Sequence, residues 1–231
     1  MKCKVKDEGS CLLIGNSRWH WGFKENNEWK FISTSKKKKI LQYLEKPLWA
    51  WATVGKIPQD INLDPSLQIE LKDIPLLNTP PWLGVDRALA AWGAYSKSKE
   101  ISKRHQNGLL VADAGTVFSL TRVNCKGEFI GGQLVAGMRL QLKAMAKGTK
   151  NLQYPEFESF PRELFPISTS NAMLKGTLQS LIGTLIEANR KEDVPIWLCG
   201  GDSPIIFKEL EERQLEVFHY PNLALEGMIE L

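Results

Sequence analysis

The chain has 231 residues, 43% of them hydrophobic and 24% charged, with a formal net charge of +4. This composition suits a globular protein of one large or two small domains. No apolar stretch approaches the roughly 18 residues of a membrane span, and the opening MKCKVKDEGS lacks the apolar core of a signal peptide, so a soluble cytoplasmic protein with no membrane partner is expected.

Cys3, Cys11, Cys125 and Cys199 show no CxxC spacing and have no nearby histidine, which predicts reduced thiols and no zinc site. The basic run Lys36 to Lys39 reads as the solvated start of a short helix continuing through Ile40, Leu41 and Leu44, and no nucleic-acid partner is expected from it.

Taken in chain order, strands are expected at Cys11 to Ile14, Trp19 to Phe23, Leu48 to Val54 and Leu67 to Leu71. A helix is expected to begin at Asp86 in GVDRALAAWGAY. Strands follow at Leu109 to Ala112 and Val117 to Val123, then a helix after Gly137 in GMRLQLKAMAKG. The clearest helix is Ser170 to Glu192, where Leu174, Leu178, Leu181, Ile182, Leu185 and Ile186 recur on one face. Ser168, Thr169 or Ser170 would cap it. Strands at Ile196 to Cys199 and Leu215 to Tyr220 complete the pattern. Tight strand pairs combined with helices predict a mixed α/β fold rather than an alternating parallel sheet.

The polar segment SKSKEISKRHQNG suggests a domain boundary near residue 105, giving domains 1–105 and 106–231. Each half opens with an apolar strand, a turn bearing glycine and a hydroxyl, and a second apolar strand: CLLIGNSRWHWGF in the first, LLVADAGTVFSL in the second. That repetition suggests duplicated domains facing a cleft.

The turns carry the chemistry. Glycine lets backbone approach a ligand closely, and neighbouring N–H groups with a Ser or Thr hydroxyl suit phosphate oxygens. Neither GxxxxGK[ST] nor GxGxxG occurs, so no P-loop or Rossmann site is expected. Asp113 at a strand end reads either as the cap of its own turn or as a carboxylate beside phosphates, neutralised by a cation. Asp86 with Arg87 reads either as a helix N-cap or as a base for phosphoryl transfer to an alcohol. In WLCGGDSP two glycines follow a strand, either as a simple turn or as a flat platform for a base or ribose.

In this order the pieces resemble the type III pantothenate kinases, of the actin, hexokinase and Hsp70 superfamily, over most of the chain. IGNSR resembles the first phosphate motif DxGNT, LGVDR resembles GxDR, DAGT resembles DxGT, and GEFIGGQLVAG resembles GxxxGGxIxPG. ISTSNAMLKG resembles the substrate-pocket segment and CGGD the late GGD. The resemblance implies two ribonuclease H-like domains facing a central cleft, ATP and pantothenate as substrates, and a homodimer in which a second subunit completes the pocket. It makes Asp86 the proton acceptor, with Gly84, Val85, Arg87 and Thr169 also on pantothenate. Asp113 would bind a monovalent cation, potassium or ammonium. Gly15, Asn16, Ser17, Arg18, Thr116, Gly200 and Gly201 would surround ATP, with magnesium accompanying it.

Four positions depart from the family pattern. Leu13 stands where the first motif has Asp, Thr121 replaces an Asp after DxGTAxT, Ala136 the Pro of IxPG, and Pro166 the Gly of GxxT. The aromatic usual upstream of GxDR is not evident in DIPLLNTPP. Two other readings stand beside the kinase: a regulator of the same family that binds ATP or pantothenate without turnover, and a kinase for another alcohol. His20, His105 and His219 are dispersed, with His20 read as a hairpin residue near the nucleotide. Trp19, Trp21, Trp49, Trp51 and Trp92 are expected in core or interface.

Overall fold

The computed structural model describes residues 9–101, 106–156, 160–211, 213 and 215–231. The chain divides into two compact units: one comprising Met1–Leu109, Arg122–Gly131 and Asn222–Leu231, the other Leu110–Thr121 and Gly132–Pro221. The expected boundary near residue 105, and His105 itself, lie outside the described residues.

In the first unit, β1 (Ser10–Ile14), β2 (Trp19–Glu25), β3 (Glu28–Thr34) and β4 (Leu48–Thr53) form a sheet in the order β3-β2-β1-β4. The β1, β2 and β3 neighbours are antiparallel, while β4 joins β1 in parallel through α1 (Lys37–Leu44). Strand β3 was not expected. Its signal is the Asn26-Asn27 pair, whose φ values of 53° and 63° make the left-handed hairpin turn that Asn tolerates. One sheet face carries Leu12, Ile14, Trp19, Trp21, Phe23 and Trp51, all buried against Ile40 of α1. Helices α2 (Val85–Ser98) and α6 (Leu223–Ile229) also pack in this unit.

The strand expected over Leu67 to Leu71 is instead part of two 3-10 turns, Pro65–Leu67 and Leu71–Asp73. Asp64 accepts the Ser66 N–H, and Glu70 and Asp73 form a reciprocal capping box, so local side-chain bonds replace a strand ladder. Only Gln68 makes a bridge, to Trp51.

The second sheet has the order β7-β6-β5-β8-β9 from β5 (Leu109–Ala114), β6 (Val117–Val123), β7 (Phe129–Ala136), β8 (Ile196–Cys199) and β9 (Val217–His219). Its first four strands repeat the order of the first sheet. Leu110, Ala112, Phe118, Leu120, Ile196 and Leu198 meet Leu178, Leu181, Ile182 and Leu185 of α4 (Thr169–Glu192), and Ile206 and Leu210 of α5 (Ser203–Glu211). Helix α3 (Met138–Gly148) contributes Met138 to that core. The periodic face read in α4 is thus the buried one, and Ser168 caps it through the Asn171 N–H. No helix among the described residues is long and apolar enough to cross a membrane.

Candidate active site

Strand β1 ends at Ile14, and the chain reverses through Gly15, Asn16, Ser17 and Arg18 into β2. The Gly15 N–H donates to the Arg18 carbonyl at 3.0 Å and closes the turn. Val54 and Gly55 N–H both donate to the Ile14 carbonyl, so the end of β4 lies against the same turn. A Cβ on Gly55 would stand 2.3 Å from the Gly15 carbonyl oxygen, which only glycine avoids. Asn16, Ser17 and Arg18 are exposed, whereas Leu13 is buried within the strand. His20 is partly buried; its Nδ1 lies 2.7 Å from Ser33 Oγ. Burial, then the nearby Arg18 charge, hold its pKa below the usual histidine value.

Asp86 is not the N-cap of α2. Gly84 occupies that position without a side-chain bond, and Asp86 lies in the first turn. Its Oδ1 accepts the adjacent Arg87 N–H at 2.8 Å and folds back over Gly84, 2.6 Å from where a Cβ would be. That spot is also 3.8 Å from Val54 Cγ1, so the carboxylate neighbours the end of β4. Burial pushes the carboxyl above its ordinary range, opposed by the Arg87 backbone N–H and guanidinium. A raised pKa makes the ionised carboxylate a stronger base, and the positive helix end keeps it ionisable.

In the second unit Asp113, paired in register with Cys199, sits one residue before the end of β5. Gly200 has φ +91°, and a Cβ there would stand 2.3 Å from Asp113 Oδ1 and 2.7 Å from the Ala114 backbone. The Asp202 N–H donates to the Ala114 carbonyl, the Gly137 N–H to the Thr116 carbonyl, and the Gly200 N–H to the Pro221 carbonyl. Asp113, Thr116, Gly137 and Gly200 are therefore gathered at one end of this sheet, with Thr116 and Gly201 exposed beside them. Ser203 Oγ and His219 Nε2, 2.9 Å apart, tie the start of α5 to β9 behind the turn.

Thr169 is the exposed first residue of α4. Sequence reasoning did not single out Gly55, Gly137 or Asp202 as supports. Gly55 has no local motif to mark it, since its role is a tertiary approach to Gly15. Among the described residues no three or more His, Cys, Asp or Glu side chains gather as a metal cluster.

Two sheets with a shared strand order and glycine turns at their strand ends define the class as a mixed α/β fold, one that solved structures share. The chain superposes with a TM-score of 0.62 on a Campylobacter jejuni protein described as a conserved Baf family transcriptional activator. Identity is 18%, covering 96% of each chain. A Sinorhizobium meliloti protein described as a 2-dehydro-3-deoxygalactonokinase superposes at 0.55 with 12% identity, covering 96% of this chain and 94% of that one.

The profile of the type III pantothenate kinase family matches residues 66–190. A type III pantothenate kinase of Synechococcus elongatus is 30% identical, with 95% of this chain and 94% of the relative covered. The chain belongs to the type III pantothenate kinase family.

Proposed function

We propose that the protein transfers the γ-phosphoryl group of ATP to the hydroxyl of pantothenate, giving 4′-phosphopantothenate, the opening step of coenzyme A synthesis. The observation that carries this reading is the Asp86 carboxylate, desolvated at the start of α2 and folded over Gly84 inside the family's LGVDR motif. Asp86 accepts the hydroxyl proton as oxygen attacks the γ-phosphorus, while Gly84, Val85, Arg87 and Thr169 hold the substrate. Gly15 to Arg18, Thr116, Gly200 and Gly201 surround the nucleotide. The repeated strand order supports two ribonuclease H-like domains.

Asp113 supplies one half-buried carboxylate at the Gly115 and Gly200 turns, with the Val117 carbonyl on the Gly115 side, oxygen donors of the kind a monovalent cation takes. Magnesium usually needs only one or two carboxylates once phosphates and waters complete its shell, so the residues present also fit a metal carried by ATP. When bound, these cations neutralise phosphate charge. Exposed Trp82, Leu134, Phe165 and Ile167 favour a homodimer, since such apolar surface suits burial against a second copy.

The test is product formation from ATP, magnesium and pantothenate, with potassium or with sodium alone. Potassium-dependent 4′-phosphopantothenate is expected; its absence from a folded, ATP-binding protein overturns the reading. Leu13, buried at the strand end where the family motif has a carboxylate, favours a second reading as a regulator that binds ligand without turnover. Nucleotide binding with no product from pantothenate or a panel of other alcohols identifies that case.

A further inference from the structure

The pairings of β3 with β2, β2 with β1, and β1 with β4 place Ser33, His20, Leu13 and Ala52 in one cross-strand row beside the first glycine turn. Side chains in such a row share a face of the sheet. Leu13 can offer no polar atom there. The His20 ring does: its Nε2 lies 3.4 Å, and its Cδ2 3.7 Å, from where a Cβ on Gly15 would stand. The opposite ring nitrogen, Nδ1, is held 2.7 Å from Ser33 Oγ. The imidazole therefore spans from β3 to the turn, one nitrogen anchored and the other against the Gly15 backbone.

We propose that His20 is a nucleotide-positioning residue: Ser33 donates its hydroxyl to Nδ1, and the Nε2–H donates to a phosphate oxygen of ATP at the Gly15–Arg18 turn. This rests on the reading of that turn as an ATP site. The chemistry differs in kind from that of a carboxylate. A carboxylate beside phosphates needs an intervening cation, whereas a neutral imidazole N–H bonds a phosphate oxygen directly. Burial and Arg18 both disfavour a charged ring, and a neutral imidazole protonated at Nε2 already offers the N–H that a phosphate oxygen accepts. The residue row thus replaces a metal-dependent contact with a metal-independent one.

That distinction sets the experiment. ATP affinity is measured by calorimetry on the wild type, His20→Ala, His20→Gln and Ser33→Ala, each in magnesium and in EDTA, with melting curves to confirm folding. A hydrogen bond to a charged group predicts that His20→Ala weakens ATP binding about tenfold or more in both conditions. Gln places an amide N–H near the position of Nε2, so His20→Gln stays within about threefold of wild type; Ser33→Ala falls between the two. In turnover, His20→Ala raises KM for ATP with little change in kcat, the signature of lost uniform binding.

Unchanged affinity in His20→Ala, a loss seen only with magnesium, or no rescue by Gln overturns the proposal. A wild type that binds ATP but makes no product overturns only the kinase reading. One that does not bind ATP overturns both.

Discussion

Asp86 combines two demands that pull against each other. Its carboxylate is desolvated enough to hold a proton above the ordinary carboxylate range, yet in the proposed reaction it must be ionised to take one from the substrate. Activity is therefore expected to fall as pH drops through that raised pKa, placing the acid limb of kcat above the usual carboxylate value. Asp86→Asn should lower turnover about 10² to 10⁴-fold and flatten that limb. The same desolvation works against the fold. A raised folded pKa means that the ionised form is disfavoured in the native state, a cost present at neutral and higher pH and relieved as pH falls through the folded value. Asn keeps an oxygen for the Arg87 N–H, so Asp86→Asn should melt at or above the wild-type temperature at pH 8; a clear drop would show that the carboxylate is structural. Gly84 supplies a second handle. Only the tip of Asp86 occupies the space that an alanine Cβ would need, and that tip can rotate away. Gly84→Ala should leave the melting temperature nearly unchanged and lower kcat, and wild-type turnover in this variant would detach the folded-back geometry from catalysis.

At the scale of elements, the turn between β8 and α5 gives the opposite pattern. Gly200 combines φ +91° with backbone on the side where a Cβ would project, so Gly200→Ala is strained in conformation and obstructed by atoms that cannot rotate away. Left-handed strain of this kind costs about 1–3 kcal/mol. Gly200→Ala should therefore lose both stability and nucleotide affinity, measured by urea unfolding and calorimetry; a variant with wild-type stability would refute the close approach to Ala114. This turn was legible as CGGD, and the apolar runs of β1, β2, β5, β6 and β8 were legible because burial removes polar residues from them. Strand β7 was not, since its FIGGQLVA has two glycines and mostly exposed or half-buried positions, leaving no alternating apolar signal. Leu67 to Leu71 misled for the converse reason: its apolar residues pack singly in 3-10 turns whose caps are local. Asp86 was legible as a chemical group, but its place inside the first helical turn depends on Gly84 serving as the cap. His20 was legible as a hairpin residue near the nucleotide, but its relation to Leu13 and Ser33 appears only once the strand register is known.

On the scale of the molecule, the two sheets repeat one strand order, but the chain completes them differently. The first unit takes back the C-terminal segment, so α6 packs against α2, the helix that carries Asp86 at its start. The two helices approach at glycines. A Cβ on Gly93 would be 2.8 Å from the Leu223 carbonyl oxygen, and one on Gly227 would be 2.0 Å from that of Leu89. Both obstacles are backbone, so a methyl group at either site forces the helices apart. Lys97 and Glu226, 3.0 Å apart, mark the same interface. Overpacking of this kind costs about 1–3 kcal/mol. The tryptophans allow that loss to be located, because seven of the eight, all but Trp197, belong to the first unit. Tryptophan fluorescence therefore follows mainly this unit, whereas the 24-residue helix α4 gives the second unit a large share of the far-ultraviolet circular dichroism. Gly227→Ala should move the fluorescence midpoint in urea to lower denaturant, with a smaller displacement of the dichroism midpoint. Coincident displacement of both signals would mean that the units unfold as one cooperative body, and an unchanged fluorescence midpoint would refute the close glycine crossing.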